Sequence, residues 1–307
     1  MGHFLVTGGA GFIGSHLVVR LLAEGHRIRV VDDFSTGRRE NLASFGDVVE
    51  LIEGSIEHAD VCRRAVHGTD VVFHLAALGS VPRSIADPLR THEVNATGTL
   101  RLLVAAQAAG VQRFVYSASS SAYGETEALP KRESMTARPM SPYGAAKLAG
   151  EEYCRVFHET YRLPTVSLRY FNVFGPRQDP ASQYAAVIPR FIAAARRGEP
   201  PTIHGDGEQT RDFTYVDNVV QANMLALEAA PAAFGCVFNV GSGTRISVNA
   251  LWRKICENLH VEMAPRYDAA RAGDIRHSLA AIDRAREALG YVPVVTFEEG
   301  LARTCAS

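Results

Sequence analysis

A tyrosine and a lysine stand four residues apart in SPYGAAKLAGE (141–151), and only three lysines, Lys131, Lys147 and Lys254, occur in the chain against 29 arginines. On a helix, positions i and i+4 share a face. Alanines and glutamates favour a helix over 143–162, with Ser141 as N-cap and Pro142 in the first helical position. A free phenol has a pKa of about 10, and a cation held a few ångströms away lowers it. Tyr143 beside Lys147 is therefore a candidate general base for an alcohol proton. A solvated lysine on an exposed helix face is the plainer reading, and the pair alone does not decide between the two.

A second constellation lies in the first thirty-five residues. HFLVTG (3–8) reads as a short buried strand, and GGAGFIGSHLVVRLLAEGH (8–26) turns into a helix with apolar residues at 17, 18, 21 and 22, stopped by Gly25. Gly9, Gly11 and Gly14 satisfy G-x-G-x-x-G, while Gly8, Gly11 and Gly14 satisfy G-x-x-G-x-x-G. RIRVVDDF (27–34) reads as the second strand, and Asp32 ends it 18 residues beyond Gly14. Glycines let the backbone turn tightly and approach a pyrophosphate, which then rests on the amides at the helix N-terminus. An acid at Asp32 can accept hydrogen bonds from a ribose diol and repels a 2′-phosphate, which selects NAD over NADP, with Arg38 and Arg39 close downstream.

These residues need a scaffold. VVELIEGS (48–55), DVVFHLAA (70–77), RFVYSAS (113–119) and TVSLRYFNVFG (165–175) read as strands, and 91–110 joins 143–162 as helix. The alternation predicts an α/β fold, a doubly wound parallel Rossmann sheet with ligands at the carboxyl ends of its strands. Beyond residue 175 the texture changes to Pro- and Gly-punctuated loops. That predicts a nucleotide-binding domain of 1–175 plus 214–242 and a smaller substrate-binding lobe of 176–213 plus 243–307. At 307 residues and 47% hydrophobic, the chain can bury a large core. A net charge of −1 without a basic stretch argues against a nucleic-acid partner. Five scattered cysteines (62, 154, 236, 256 and 305) form no C-x-x-C pair, so neither a disulfide framework nor a metal site is indicated. No apolar run reaches the ~18 residues of a membrane span, and a strand from residue 3 leaves no room for a signal peptide. A cytoplasmic location without membrane partners is expected.

Together the Gly8/Gly11/Gly14 loop, HLAA (74–77), Asn95, Ser119 in SASSSAYG (117–124), and Tyr143 with Lys147 resemble the extended short-chain dehydrogenase/reductase family. More narrowly, they are similar to its NAD-dependent nucleotide-sugar epimerase/dehydratase branch. The likeness runs over nearly the whole chain, including RYFNVFGPRQ (169–178), HGDGEQTRDFTYV (204–216) and RAGDIRHS (271–278). The resemblance implies a cofactor set of Gly8, Gly11, Phe12, Ile13, Gly14, Asp32, Ser55, Ile56, Leu75, Ala76, Ala77 and Asn95, with Tyr143 and Lys147. Ser55 departs from the family's usual aspartate near the adenine. It implies catalysis by Ser119, Tyr143 and Lys147, with Lys147 lowering the tyrosine pKa so that Tyr143 acts as phenolate on a sugar 4′-hydroxyl steadied by Ser119. It further implies a UDP-sugar held by Ser119, Ser120, Ser121, Tyr143, Asn172, Val187, Arg211, Arg271, Asp274 and Ser278.

The family's dehydratases place an Asp-Glu pair just after the serine or threonine position. Ser120 and Ser121 stand there in this chain and cannot do that acid–base work at neutral pH. The expected reaction is therefore 4-epimerisation with NAD retained. Another NAD-dependent nucleotide-sugar enzyme (a dehydratase, a UDP-glucuronate epimerase or a net dehydrogenase) and a non-catalytic NAD-sensing protein are the alternatives, and the Ser119–Tyr143–Lys147 set speaks against the latter. Related epimerases restricted to glucose and galactose carry a large residue at the position of Ser278. A serine there implies room for N-acetylated sugars, so UDP-N-acetylglucosamine and UDP-N-acetylgalactosamine are expected substrates. The family commonly forms homodimers through helices equivalent to 91–110 and 143–162, which implies the same here.

Overall fold

The computed structural model describes residues 1–180, 186–270 and 275–307. Seven parallel strands form the central sheet: β1 (His3–Thr7), β2 (Arg27–Asp32), β3 (Val49–Glu53), β4 (Val71–His74), β5 (Arg113–Ser119), β6 (Thr165–Tyr170) and a late strand, Cys236–Val240. Their spatial order puts β3, β2 and β1 on one side and β4, β5, β6 and the late strand on the other. The chain thus reverses direction between β1 and β4, whose ends Thr7 and His74 are paired in register. Loops leaving these two strands diverge and open a crevice at their carboxyl ends.

Alternation along the strands fills both faces. Phe4, Val6, Val30, Phe73 and Val115 pack on one side with Leu17, Leu21 and Val219. Leu5, Val31, Val72, Phe114 and Tyr116 pack on the other with Leu102, Leu103 and Phe157. A third core gathers Phe174, Phe191, Phe213, Trp252, Phe297 and Leu301. Outside the large sheet, the described residues also form three short strand pairs. β7 (Val173–Phe174) pairs with β10 (Thr214–Tyr215), β8 (Thr202–His204) with β13 (Arg266–Asp268), and β9 (Thr210–Arg211) with β12 (Ile246–Ser247). The late sheet strand is therefore β11.

Two elements differ from the sequence expectation. The strand expected over 165–175 is two strands, because the chain leaves the large sheet at Phe171–Asn172 and then pairs with β10. The helix expected over 91–110 begins earlier, at Pro88, where the Asp87 carboxylate accepts from the Arg90 amide at 3.0 Å. It then widens into a π-turn at Glu93–Gly98 before continuing as Thr99–Ala108. The helix carrying Tyr143 spans Pro142–Tyr161, with the Ser141 hydroxyl accepting from the Gly144 amide at 3.1 Å, and ends on Arg162 in the left-handed region at φ +60°.

Candidate active site

The crevice holds a cavity of about 330 Å³ lined by Gly8, Gly11, Gly14, Asp32, Ser55 and Ser117, among others. Gly8 adopts φ +69°, and a Cβ there would lie 2.8 Å from the Ala76 amide nitrogen. A Cβ on Gly14 would lie 2.2 Å from the Gly8 carbonyl oxygen, so the glycines bring the first helix of the chain directly onto the turn. Asp32 is buried, and its two oxygens accept from the amides of Ala10 and Phe34, each at 2.9 Å. Burial pushes its carboxyl up, and these two amides pull it back. A backbone cradle at a helix N-terminus and an oriented carboxylate at the next strand end are the donors and acceptor that a dinucleotide's pyrophosphate and ribose require. The residues present fit NAD.

Phe12, Ile13, Ile56, Leu75, Ala76 and Ala77 also line this cavity. Asn95 does not. It is buried in the π-turn, where its amide oxygen accepts from the Leu78 amide at 2.8 Å and its nitrogen donates to the Leu78 carbonyl at 3.1 Å. Asn95 thus pins the wall segment at Leu78. Ser55 lines the cavity, with its hydroxyl donated to the Glu57 carboxylate at 2.9 Å. The serine in place of an acid is therefore held by a neighbouring acid two residues on.

Beneath this wall runs a hydrogen-bonded chain that the sequence reading missed. The Thr99 hydroxyl donates to the Asn95 carbonyl at 2.7 Å, so it must accept from His74 Nε2 at 2.8 Å. His74 Nδ1 then accepts from Thr7 Oγ1 at 2.7 Å, and Thr7 Oγ1 accepts from the Ala76 amide at 3.2 Å. Burial drives the His74 pKa well below its ordinary value, which keeps the ring neutral. A histidine in an otherwise apolar strand, in register with a threonine, was the available signal.

At the far side of the crevice the helix Pro142–Tyr161 lies on β5. The buried Lys147 ammonium donates to the Ser117 carbonyl at 2.8 Å and stands 5.0 Å from the Tyr116 ring centroid. Ser119 ends β5, and its hydroxyl accepts from the Ser121 amide at 3.2 Å, which starts the turn Ser120–Tyr123. A Cβ on Gly144 would come 2.7 Å from the Ser121 carbonyl oxygen, so that glycine lets the helix start sit against this turn. Tyr143 is half-buried and hydrogen-bonded to the Ser119 side chain. The structure thus brings Ser119, Tyr143 and Lys147 together beside the cavity wall.

Burial raises the Tyr143 pKa, and the Ser119 hydrogen bond offsets part of that rise. The lysine itself is brought down to about 8 by burial, with Cys154 and Glu151 holding it up. Lys147 points its charge at the Ser117 carbonyl.

Of the residues expected to hold a substrate, Ser120 and Ser121 are half-buried beside Ser119, and Asn172 is exposed just after β6. Val187 opens the helix Val187–Arg196. Arg211 donates to the Thr210 carbonyl at 3.0 Å. Ser278 is buried next to the same strand, with its amide donating to the Thr210 carbonyl at 3.1 Å. Arg271 and Asp274 lie outside the described residues.

Known proteins share this arrangement. The NAD dependent epimerase/dehydratase family matches residues 4–241. UDP-glucose 4-epimerase of Mycolicibacterium smegmatis is 43% identical over 304 residues, which cover 98% of this chain and 96% of that protein. The solved UDP-N-acetylglucosamine 4-epimerase of Methanobrevibacter ruminantium, in complex with UDP-N-acetylmuramic acid, superposes with a TM-score of 0.95 at 42% identity, covering 99% of this chain and 97% of its own. The UDP-glucose 4-epimerase of Thermotoga maritima, solved with UDP-glucose, gives 0.94 at 42% identity, with 99% and 97% covered. Glycine cradle, strand-end acid and Ser-Tyr-Lys cluster lie within the matched region, and the chain belongs to the NAD dependent epimerase/dehydratase family, as an NAD-dependent nucleotide-sugar 4-epimerase.

Proposed function

We propose that this enzyme interconverts UDP-N-acetylglucosamine and UDP-N-acetylgalactosamine, and accepts UDP-glucose and UDP-galactose as well. The observation that carries the reaction type is the Ser119–Tyr143–Lys147 cluster followed by Ser120 and Ser121, where an eliminating enzyme needs acids. Tyr143 takes the proton of the sugar 4′-hydroxyl, and Ser119 holds that oxygen in place. When bound, NAD⁺ supplies the acceptor that makes C4 a ketone and the donor that restores it on the opposite face. Lys147, one helical turn from Tyr143, stabilises the phenolate. Asn172, Val187 and Arg211 border the substrate, and arginine suits a diphosphate through paired hydrogen bonds.

The preference for N-acetylated sugars rests on Ser278. A small side chain at this buried position leaves room that a tyrosine would fill, and overpacking costs ~1–3 kcal/mol. The decisive measurement compares kcat/KM for both sugar pairs in the wild type and in Ser278→Tyr. The expected outcome is turnover of both pairs by the wild type and a selective loss of the N-acetylated pair, about ten-fold or more, in the variant. Rejection of N-acetylated sugars by the wild type would sink the assignment. Conversion of UDP-glucuronate to a decarboxylated product would replace it.

A further inference from the structure

One turn beyond Lys147 on the same helix, Glu151 meets Arg169 of β6 in a two-pronged ion pair: Nε lies 3.0 Å from each carboxylate oxygen and Nη2 2.7 Å from one of them. Both side chains are almost sealed from water, at 4% and 5% exposure. Such a pair contributes little stability against the cost of desolvating two ions, so its presence beside the catalytic lysine calls for another role. Tyr143, Lys147 and Glu151 fall on one helix face at successive i+4 steps. Arg169 is in register with Ala118, between Ser117, whose carbonyl holds Lys147, and Ser119. Its guanidinium also lies 4.6 Å from the ring centroid of Tyr123, which closes the turn after Ser119 and donates its hydroxyl to Asn239 Oδ1 at 2.7 Å.

We propose that Glu151 is a positioning residue whose buried negative charge, anchored by Arg169, keeps Lys147 protonated over the working pH range. The groups facing Lys147 support this. From its own helix come Glu151, Cys154 and Tyr143. From β5 come the Tyr116 ring and the Ser117 carbonyl, and from β4 the neutral His74. From β6 comes Arg169, drawn away by Glu151. Glu151 is the one carboxylate among the charges that raise the lysine's proton affinity against burial. Arg169 in turn keeps Glu151 ionised, since burial pushes that carboxyl up and the guanidinium pulls it back.

The proposal rests on the epimerase reading only for the use made of Lys147, so its test is read first in cofactor-free protein. With three lysines in the chain, 13Cε-lysine labelling yields three resolvable titrations. Wild-type Lys147 is expected to titrate near 8. In Glu151→Gln its midpoint should fall by about one pH unit, because one neighbouring negative charge is lost while Arg169 remains. Glu151→Asp, which keeps the charge, should restore most of it. In the loaded enzyme the alkaline limb of kcat should move down by the same amount in Glu151→Gln, with KM changed less than about two-fold. A folded Glu151→Gln with an unshifted Lys147 midpoint overturns the proposal. Should that variant fail to fold, Glu151→Asn, which also removes the charge while Arg169 remains, takes its place, and a wild-type Lys147 midpoint there overturns it equally. Absence of epimerase activity in the wild type would refute the function and leave the lysine titration standing.

Discussion

At the scale of single residues the chemistry depends on two groups held out of their ordinary protonation equilibria. Tyr143→Phe removes only the ionisable oxygen, so the fold and NAD binding should persist while kcat falls by ~10²–10⁴-fold. Circular dichroism, NAD titration and turnover check this, and near-normal turnover would place the proton elsewhere. Lys147 carries a stability cost. Its pKa falls from the ordinary lysine value of 10.5 to about 8 in the folded chain, so the folded state binds fewer protons than the unfolded between these values. Stability from this group therefore rises with pH from about 8 to 10.5 and is lowest below 8. Lys147→Met should lose activity yet unfold at a higher denaturant concentration than wild type at pH 7, by up to about 3 kcal/mol. That advantage should shrink towards pH 10.5. A destabilised, pH-independent variant would show that the hydrogen bond to Ser117 outweighs the buried charge.

At the scale of elements, the active site depends on how loops are pinned to strands. The π-turn Glu93–Gly98 presents Asn95 to both backbone groups of Leu78, and the segment Leu75–Gly79 lines the cavity. Asn95→Ala would leave the buried Leu78 amide unpaired, at ~1–3 kcal/mol, while the Leu78 carbonyl keeps the Ser80 amide at 3.2 Å. The expected result is NAD affinity reduced by about ten-fold or more, with a smaller effect on the affinity for UDP-sugar once NAD is saturating. Calorimetric titration of the two ligands separates these. Equal losses for both would mean a general loosening of the fold. Gly144 does the matching work on the other side, where a methyl group would press on the Ser121 carbonyl and part the Tyr143 helix from the Ser119 turn.

For the whole molecule, Ile85, Leu89, Val104, Val156 and Tyr161 expose large apolar side chains on the helices packed around Pro142–Tyr161, with Leu89 at 79%. We propose that a second copy of the chain covers this face, forming a homodimer about a two-fold axis. Sedimentation at micromolar concentration should give twice the chain mass, and Leu89→Glu should shift it towards the monomer. A monomeric wild type overturns the proposal. Among the described residues no helix is long and apolar enough to cross a membrane. The division of the chain into two parts is also a proposal. β11 supports placing 214–242 with the sheet, but Ala280, Ile282, Ala285, Leu289 and Tyr291 pack into the sheet's core as well. The substrate lobe is then better drawn without them.

What the amino-acid order determined by itself was whatever depends on local pattern. Alternating apolar residues, a glycine turn into a helix and an acid at a strand end define the Rossmann half, because each feature is written within about thirty residues. The i+4 spacing likewise put Tyr143 and Lys147 on one face before any fold was known. Tertiary structure decided what depends on neighbours distant in sequence. Lys147 is depressed because β5 and the packed helices strip its water, and Tyr143 is raised for the same reason. Asn95 holds both backbone groups of Leu78, 17 residues away, because the π-turn presents its amide to that segment. The partnership of Glu151 with Arg169, 18 residues apart and one element removed, left no local trace, since a glutamate on a helix and an arginine in a strand are each ordinary alone. Burial is a property of the assembled fold, and burial is what gives those charges their effect.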